Sequence, residues 1–178
     1  MLLNLRTLHG ARAHETVTRR YDPAAFEGAE ELYTVVAPVD LAFDLDKDGE
    51  RFRLVGRVRT MLELTCGRCL DPFALPVDAA FDLRYLPHSR NTGEGEIEIE
   101  DEDLTTAYYQ DDEIDLGQLM REQFYLSLPM KPLCSDACRG LCPVCGANLN
   151  RTTCACERTW EDPRLEGLRA IVKKDDDA

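Results

Sequence analysis

The chain has 178 residues and a formal charge of -13, from 34 acidic and 21 basic side chains. That balance argues against generic binding along a nucleic-acid backbone, because counterion release needs clustered positive charge. It leaves room for a focal basic patch, or for a partner that is itself basic.

A chain of this length suits one domain, or one with a small appendage, and buries roughly 70% of its unfolded surface. It needs no staples merely to fold, so its eight cysteines require another reason. The opening MLLNLRTLHG has an apolar run cut by Asn4 and Arg6, with no small-residue cleavage site behind it. No stretch approaches the roughly 20 apolar residues of a membrane span. The expectation is a cytoplasmic protein without a membrane segment. Its thiols would stay reduced, which sets disulfides aside as the main reading.

Residues 1–30 read as an N-terminal arm, with LLNLRTL able to add an edge strand and DPAAFEGAEE carrying turn signals. Residues 31–131 read as a β-rich domain with a closing helix. LYTVVAPVDLAFDL alternates apolar and polar residues, with Pro38 marking an edge or bulge. Asp46-Lys47-Asp48-Gly49 is a turn signal. RFRLVGRVRTMLELTC then repeats with period two: Phe52, Leu54, Val58, Thr60 and Leu62 share one face, and Arg51, Arg53, Arg57 and Arg59 share the other around Val55. DPFALPVDAAFDLRYLP gives a strand pair or one long bent strand. HSRNTGEGEIEIEDEDL reads as an exposed loop and a short acidic strand, and DLTTAYYQDD as another short strand. A helix is predicted over 115–128, with Asp115 at the N-cap, Gln118 three residues on, and Leu116, Leu119, Met120, Phe124 and Leu128 on one stripe. Pro129 and Pro132 end it. Residues 132–160 form a cysteine-rich module. Residues 161–178 form an acidic tail, with a short helix in PRLEGLRAIVKK and a disordered end at Asp175-Asp176-Asp177.

The cysteine spacings are Cys66-x2-Cys69, then Cys134-x3-Cys138-x3-Cys142-x2-Cys145-x8-Cys154-x-Cys156. Two cysteines with two residues between them bring both sulfurs to one ion at about 2.3 Å in tetrahedral geometry. In CPVCG, Pro143 narrows the turn and Gly146 lets backbone N–H groups approach the sulfurs. The simplest partition gives a local site of Cys142, Cys145, Cys154 and Cys156. Cys66 and Cys69 then meet Cys134 and Cys138 in a long-range site that joins the strand region to the segment after the helix. Two structural zinc ions are expected. Iron takes the same four thiolates, Cys66-Gly67-Arg68-Cys69 has the spacing of a redox pair, and pairing across the two sites stays open.

All-thiolate sites are closed, whereas catalytic zinc keeps a position for water. His9, His14 and His88 are isolated and read as surface residues. The chain has no phosphate-cradling glycine loop, nucleophile elbow or convincing base, so neither an enzyme nor a small-molecule substrate is expected. Arg51, Arg53, Arg57 and Arg59, extended by Arg68, could follow an RNA phosphate track. The plainer reading pairs them with Asp44 and Asp46, or with Glu96 and Glu98, on a solvated strand face. Arg139 and Arg151 could enlarge the patch. Tyr108 and Tyr109 offer stacking surfaces, or simply core and edge.

LTCGRCLDPF (64–73), LSLPMKPLC (126–134), CRGLCPVCGANLN (138–150), CAC (154–156) and DPRLEGL (162–168), in this order, resemble the YceD family, the large ribosomal RNA subunit accumulation proteins. The resemblance is distinctive over residues 60–170. It implies a cytoplasmic, metal-binding factor needed for normal amounts of 23S rRNA, without fixing the molecular step, and it carries the family motif onto the eight cysteines. The first functional expectation is contact with the 23S rRNA precursor or an early ribosomal protein. The expected architecture is α+β: an antiparallel sheet that could close like a barrel, one central helix and a C-terminal zinc module. The alternative function is a zinc-stabilised protein-interaction adaptor that does not touch RNA.

Overall fold

The computed structural model describes residues 1–26, 28, 32–90 and 105–157. The acidic 94–103 stretch and the proposed tail helix lie outside the described residues. The chain divides into two compact units, Met1–Gly67 with Asp71–Cys134, and Arg68–Leu70 with the described residues from Ser135 on.

The first unit holds β1 (Leu2–Asn4), β2 (Arg12–Tyr21), β3 (Thr34–Val35), β4 (Val39–Asp48), β5 (Arg51–Thr65), β6 (Pro72–Pro87), β7 (Thr106–Tyr109), β8 (Glu113–Asp115) and α1 (Leu116–Ser127). Among the described residues the larger sheet runs β2-β4-β5-β6-β7, with β3 also on β5, and β1 pairs β8 separately. The expected barrel-like closure is not seen: β2 and β7 lie at opposite ends of the order and do not pair. The sheet is also mixed, because β7 joins β6 in parallel.

Period-two patterning makes β4 and β5 the spine. Val39, Leu41, Phe43 and Leu45 alternate inward on β4, and Phe52, Leu54, Val58, Leu62 and Leu64 do so on β5. Each such side chain contributes roughly 1.5–3 kcal/mol by leaving water. Thr34 faces Glu63 while Asp40 faces Arg59, so one strand spends six steps where the other spends four. The surplus falls at Pro38, which cannot donate to a ladder. Further along, a Cβ on Gly56 would collide with the Phe43 side chain and the Ala42 carbonyl. Glycine is what lets β4 and β5 approach there.

The turn between β4 and β5 falls later than the Asp-Gly signal suggests. The strand continues through Asp48, which faces Arg51, and Gly49 (φ 64°) opens the reversal. β6 is one long strand. β2 was not foreseen as a strand; of its ten residues only Val17 is buried, so a solvated edge carries almost no apolar period.

Helix α1 starts where the capping residue predicts. The Asp115 carboxylate accepts from the N–H groups of Gly117 (2.7 Å) and Gln118 (3.3 Å), satisfying donors that helix geometry leaves orphaned. Gln118 does not reach back to complete a capping box; it donates to Glu122 at 2.9 Å. Leu116, Leu119, Met120 and Phe124 are fully buried. Phe26 and Tyr33 meet Phe124 edge-on at 5.7 and 5.9 Å, a favoured aromatic geometry.

Candidate metal centres

β5 and β6 form a hairpin from Thr65, which faces Pro72, and its loop carries Cys66 and Cys69. The Cys66 N–H donates to the Asp71 carbonyl (2.9 Å), closing the loop at its base. Leu70 takes a left-handed conformation, φ 60°. The Gly67 N–H donates to the Pro132 carbonyl (2.8 Å). That bond lays the segment following α1 against the hairpin tip, two residues before Cys134.

The second cysteine loop repeats this plan. The Cys142 N–H donates to the Ala147 carbonyl (2.8 Å), and Gly146, at φ 72°, donates to the Cys142 carbonyl (2.9 Å). Backbone N–H groups of Cys145 and Val144 point at the Cys142 sulfur and draw its thiol down to about 6. Cys156 is pushed up to about 12, first by its hydrogen bond to Cys145, then by burial, then by the negative charge of Cys145 and Cys142. Negative charge on Cys145 and Cys142 opposes ionisation of Cys156; a divalent ion among the sulfurs would reverse that balance.

The sulfurs of Cys66, Cys69, Cys134 and Cys138 all lie within 4.8 Å of one another, as do those of Cys142, Cys145, Cys154 and Cys156. Four thiolates around one ion at about 2.3 Å stand about 3.8 Å apart, so each tetrad can hold a metal. Cys66, Cys69, Cys138 and Cys142 are buried, and Cys134 and Cys145 are exposed. Cys66 and Cys69 sit in a hairpin loop, not at the helix start that usually activates a redox pair.

The arginine row lies on the exposed face of β5, as its period requires, but its principal partners were not foreseen. Arg53 makes two bonds to Asp82, at 2.8 and 2.6 Å. Arg57 and Arg59 share Asp78 at 3.0 and 3.2 Å. These carboxylates stand on β6, whereas Asp44 takes Thr16 (2.7 Å) and Asp46 takes His14 (2.7 Å). Glu96 and Glu98 lie outside the described residues. Hydrogen bonds from Arg53 hold Asp82 below the usual carboxylate value. Burial raises Asp78, but bonds from Arg59 and Arg57 outweigh it and leave it lowered. On the other side, Asp40, Asp46 and Asp48 of β4 face Arg59, Arg53 and Arg51 in register. The row is thus one column between two acidic ones.

Arg68 is turned to structural use. Its guanidinium donates to the Cys138 carbonyl (2.9 Å), and its own carbonyl accepts from Leu141 (3.1 Å). Tyr109 is buried, stacks edge-on with Phe52 at 5.4 Å and donates to the Glu50 carbonyl (3.2 Å); Tyr108 is exposed. His14 is half exposed. Two residues around the tetrads escaped sequence reasoning, Leu70 and Asn150. Their signals are weak: a position one past a CxxC, and an amide between ligand pairs.

Residues 54–172 match the family described as Large ribosomal RNA subunit accumulation protein YceD, a span that includes all eight cysteines. The chain belongs to the YceD family. Among curated YceD relatives, the Zea mays protein named Large ribosomal RNA subunit accumulation protein YCED homolog 1, chloroplastic, is 32% identical over 67% of this chain and 49% of its own length. The Arabidopsis thaliana protein of the same name is 30% identical over 70% of this chain and 46% of its own. The uncharacterized protein YlbN of Bacillus subtilis is 24% identical over 90% of this chain and 80% of its own. The chain thus spans about half the length of the two plant relatives. No solved structure matches. No helix among the described residues is long and apolar enough to cross a membrane.

Proposed function

We propose that this protein is a non-catalytic, zinc-holding factor of the cytoplasm that supports accumulation of 23S rRNA, and so large-subunit assembly, by docking an early ribosomal protein. The observation that carries the zinc assignment is the pair of four-sulfur groups, each within 4.8 Å. The residues fit the ion: all-thiolate donors, with backbone N–H groups aimed at Cys142. Cys66, Cys69, Cys134 and Cys138 would hold one ion, and Cys142, Cys145, Cys154 and Cys156 the other. Zinc supplies neutralisation and tetrahedral cross-linking. With four thiolates each, the sites leave no position for a reacting water, which favours a binding role over catalysis. The link to rRNA rests on the family and on the names of the plant relatives.

A net charge of -13 favours a basic protein as the direct partner. A second reading, direct contact with the 23S precursor through Arg51, Arg53, Arg57, Arg59 and Arg68, draws support from the alignment of the first four on one exposed strand face. The bonds of Arg53 to Asp82 and of Arg57 and Arg59 to Asp78 weigh against it, since phosphates would have to displace carboxylates already in place.

The test is the ratio of large- to small-subunit rRNA in cells lacking the protein, with intact and Cys142→Ser/Cys145→Ser forms returned separately. Restoration by the intact form alone is expected; an unmoved ratio would remove the assignment. An Arg51/Arg53/Arg57/Arg59→Ala form separates the partners. It should restore the ratio if a basic protein docks elsewhere, and fail if these arginines hold RNA.

A further inference from the structure

We infer that Asn150 is a positioning residue that couples the two cysteine tetrads. It lies in the connector between Cys145 and Cys154, both in one tetrad, yet its side-chain amide donates to the Cys138 sulfur of the other at 3.3 Å. This rests on the reading that both tetrads hold metal.

The orientation of the amide is fixed chemically. The Arg139 N–H donates to Asn150 Oδ1 at 2.7 Å. A backbone N–H needs an acceptor, so the oxygen must face Arg139 and the NH2 group must face the sulfur. The side chain therefore spans two consecutive residues of the first tetrad's last ligand segment, the Cys138 sulfur and the Arg139 amide. Cys138 is buried, so water is a poor substitute donor. An N–H donated to a thiolate offsets part of its charge, and such outer-shell partners tune metal sites.

The connector holds Asn150 by its own structure. The Asn150 N–H donates to Asn148 Oδ1 (3.0 Å), and the N–H groups of Arg151 (3.1 Å) and Thr152 (3.0 Å) both donate to the Asn148 carbonyl. Thr152 Oγ1 donates to the same carbonyl at 3.1 Å. The Leu149 N–H donates to the Gly140 carbonyl (2.9 Å), and Leu149 is buried. This turn is anchored at both ends by ligands of the second tetrad. Releasing the ion there frees Cys154 and loosens the turn. The amide then leaves Cys138, and the first site weakens. By linkage, an ion in the first site holds Cys138 and Arg139 in place and so steadies the connector of the second.

The discriminating variant is Asn150→Asp in the full chain. It keeps an oxygen for the Arg139 N–H and replaces the N–H donor with a second anion beside the sulfur. The readouts are zinc affinity of each site, by competition with a metallochromic chelator, and the alkylation rate of Cys138, by peptide mass spectrometry. A drop of about 10- to 100-fold in first-tetrad affinity is expected, the range usual for outer-shell partners, with faster Cys138 alkylation. Cys154→Ser/Cys156→Ser should weaken the first tetrad similarly, and adding Asn150→Asp to it should cost little more. Asn150→Ala, which adds no charge, should show the same pattern to a smaller degree. Unchanged first-tetrad affinity in both Asn150 variants overturns the proposal. Fully additive losses overturn the coupling. A chain that binds no metal at all would instead sink the zinc reading itself.

Discussion

Leu70 occupies, in the β5–β6 hairpin, the backbone position that Gly146 occupies in the second cysteine loop. Each follows the second cysteine of a CxxC pair, and their φ angles are 60° and 72°. Each loop is closed by the first cysteine's N–H bonding the carbonyl five residues on. A left-handed conformation costs an L-residue with a Cβ roughly 1–2 kcal/mol, and Leu70 is 62% exposed, so packing returns little of it. Leu70→Gly relieves that strain, while the freer unfolded chain takes back roughly 0.4–1 kcal/mol. The expected result is a gain of about 0.5 kcal/mol in chemical denaturation of the zinc-loaded protein. A loss of about 1 kcal/mol, the usual cost of a new glycine elsewhere, would contradict the equivalence of the two loops.

Gly56 gives a prediction of opposite sign. A methyl there has no room against Phe43 and the Ala42 carbonyl, both on the neighbouring β4. Gly56→Ala should destabilise the first unit by about 1–3 kcal/mol or more, the range for overpacking. Ala42→Gly tests the rule in reverse: Ala42 is exposed, so its loss should cost under about 1 kcal/mol. Equal costs would mean the strands do not approach as described.

The exposed sheet face titrates in two directions. The His14 pKa is raised above 6.5, first by its hydrogen bond to Asp46 and then by the charges of Asp46 and Asp44, against some burial. A raised imidazole contributes stability that is complete below its unfolded value and is lost as pH rises through the folded one. Asp78 and Asp82 are lowered, so their contribution is complete above the unfolded carboxylate value and is lost as pH falls through the folded ones. Proton NMR titration should place His14 above 6.5, and Asp46→Asn should bring it down. A His14 midpoint at or below 6.5 would show that the β2–β4 pairing is absent in solution.

Much of this was legible because local period and local spacing sufficed. The alternation in β5 separates Phe52, Leu54, Val58 and Leu62 from the arginines without any knowledge of neighbours, and Asp115 marks the helix start from its own side chain. The simplest partition of the cysteine spacings matches the two groups the structure gathers, but spacing alone left pairing across the two sites open. What escaped depends on pairing at a distance. Edge strand β2 buries only Val17, and β7 finds β6 in parallel across an intervening segment. The partners of Arg53 and Arg57 follow from the β5–β6 register, which places Asp82 and Asp78 within reach. Barrel closure likewise depends on which edges meet, and no single strand encodes that.

Among residues 135–157 the buried apolar side chains are Cys138, Cys142 and Leu149, too few to fold a segment by burial alone. The first unit has its own core, from Val39 and Leu41 to Phe124. Removing metal with a strong chelator should therefore raise hydrogen exchange sharply across 135–157, while β4, β5 and α1 stay protected. Uniform loss of protection would show that the sheet depends on the ions. Unchanged protection in 135–157 would show that no ion holds it.

The central claim is most directly tested by metal content. Zinc per chain should be measured at saturation by elemental analysis in the intact protein, in Cys66→Ser/Cys69→Ser and in Cys142→Ser/Cys145→Ser. The account predicts about two ions in the intact chain and about one in each variant, as two closed four-thiolate sites require. No bound zinc, bound iron in its place, or loss of both ions in both variants would contradict two separate zinc tetrads.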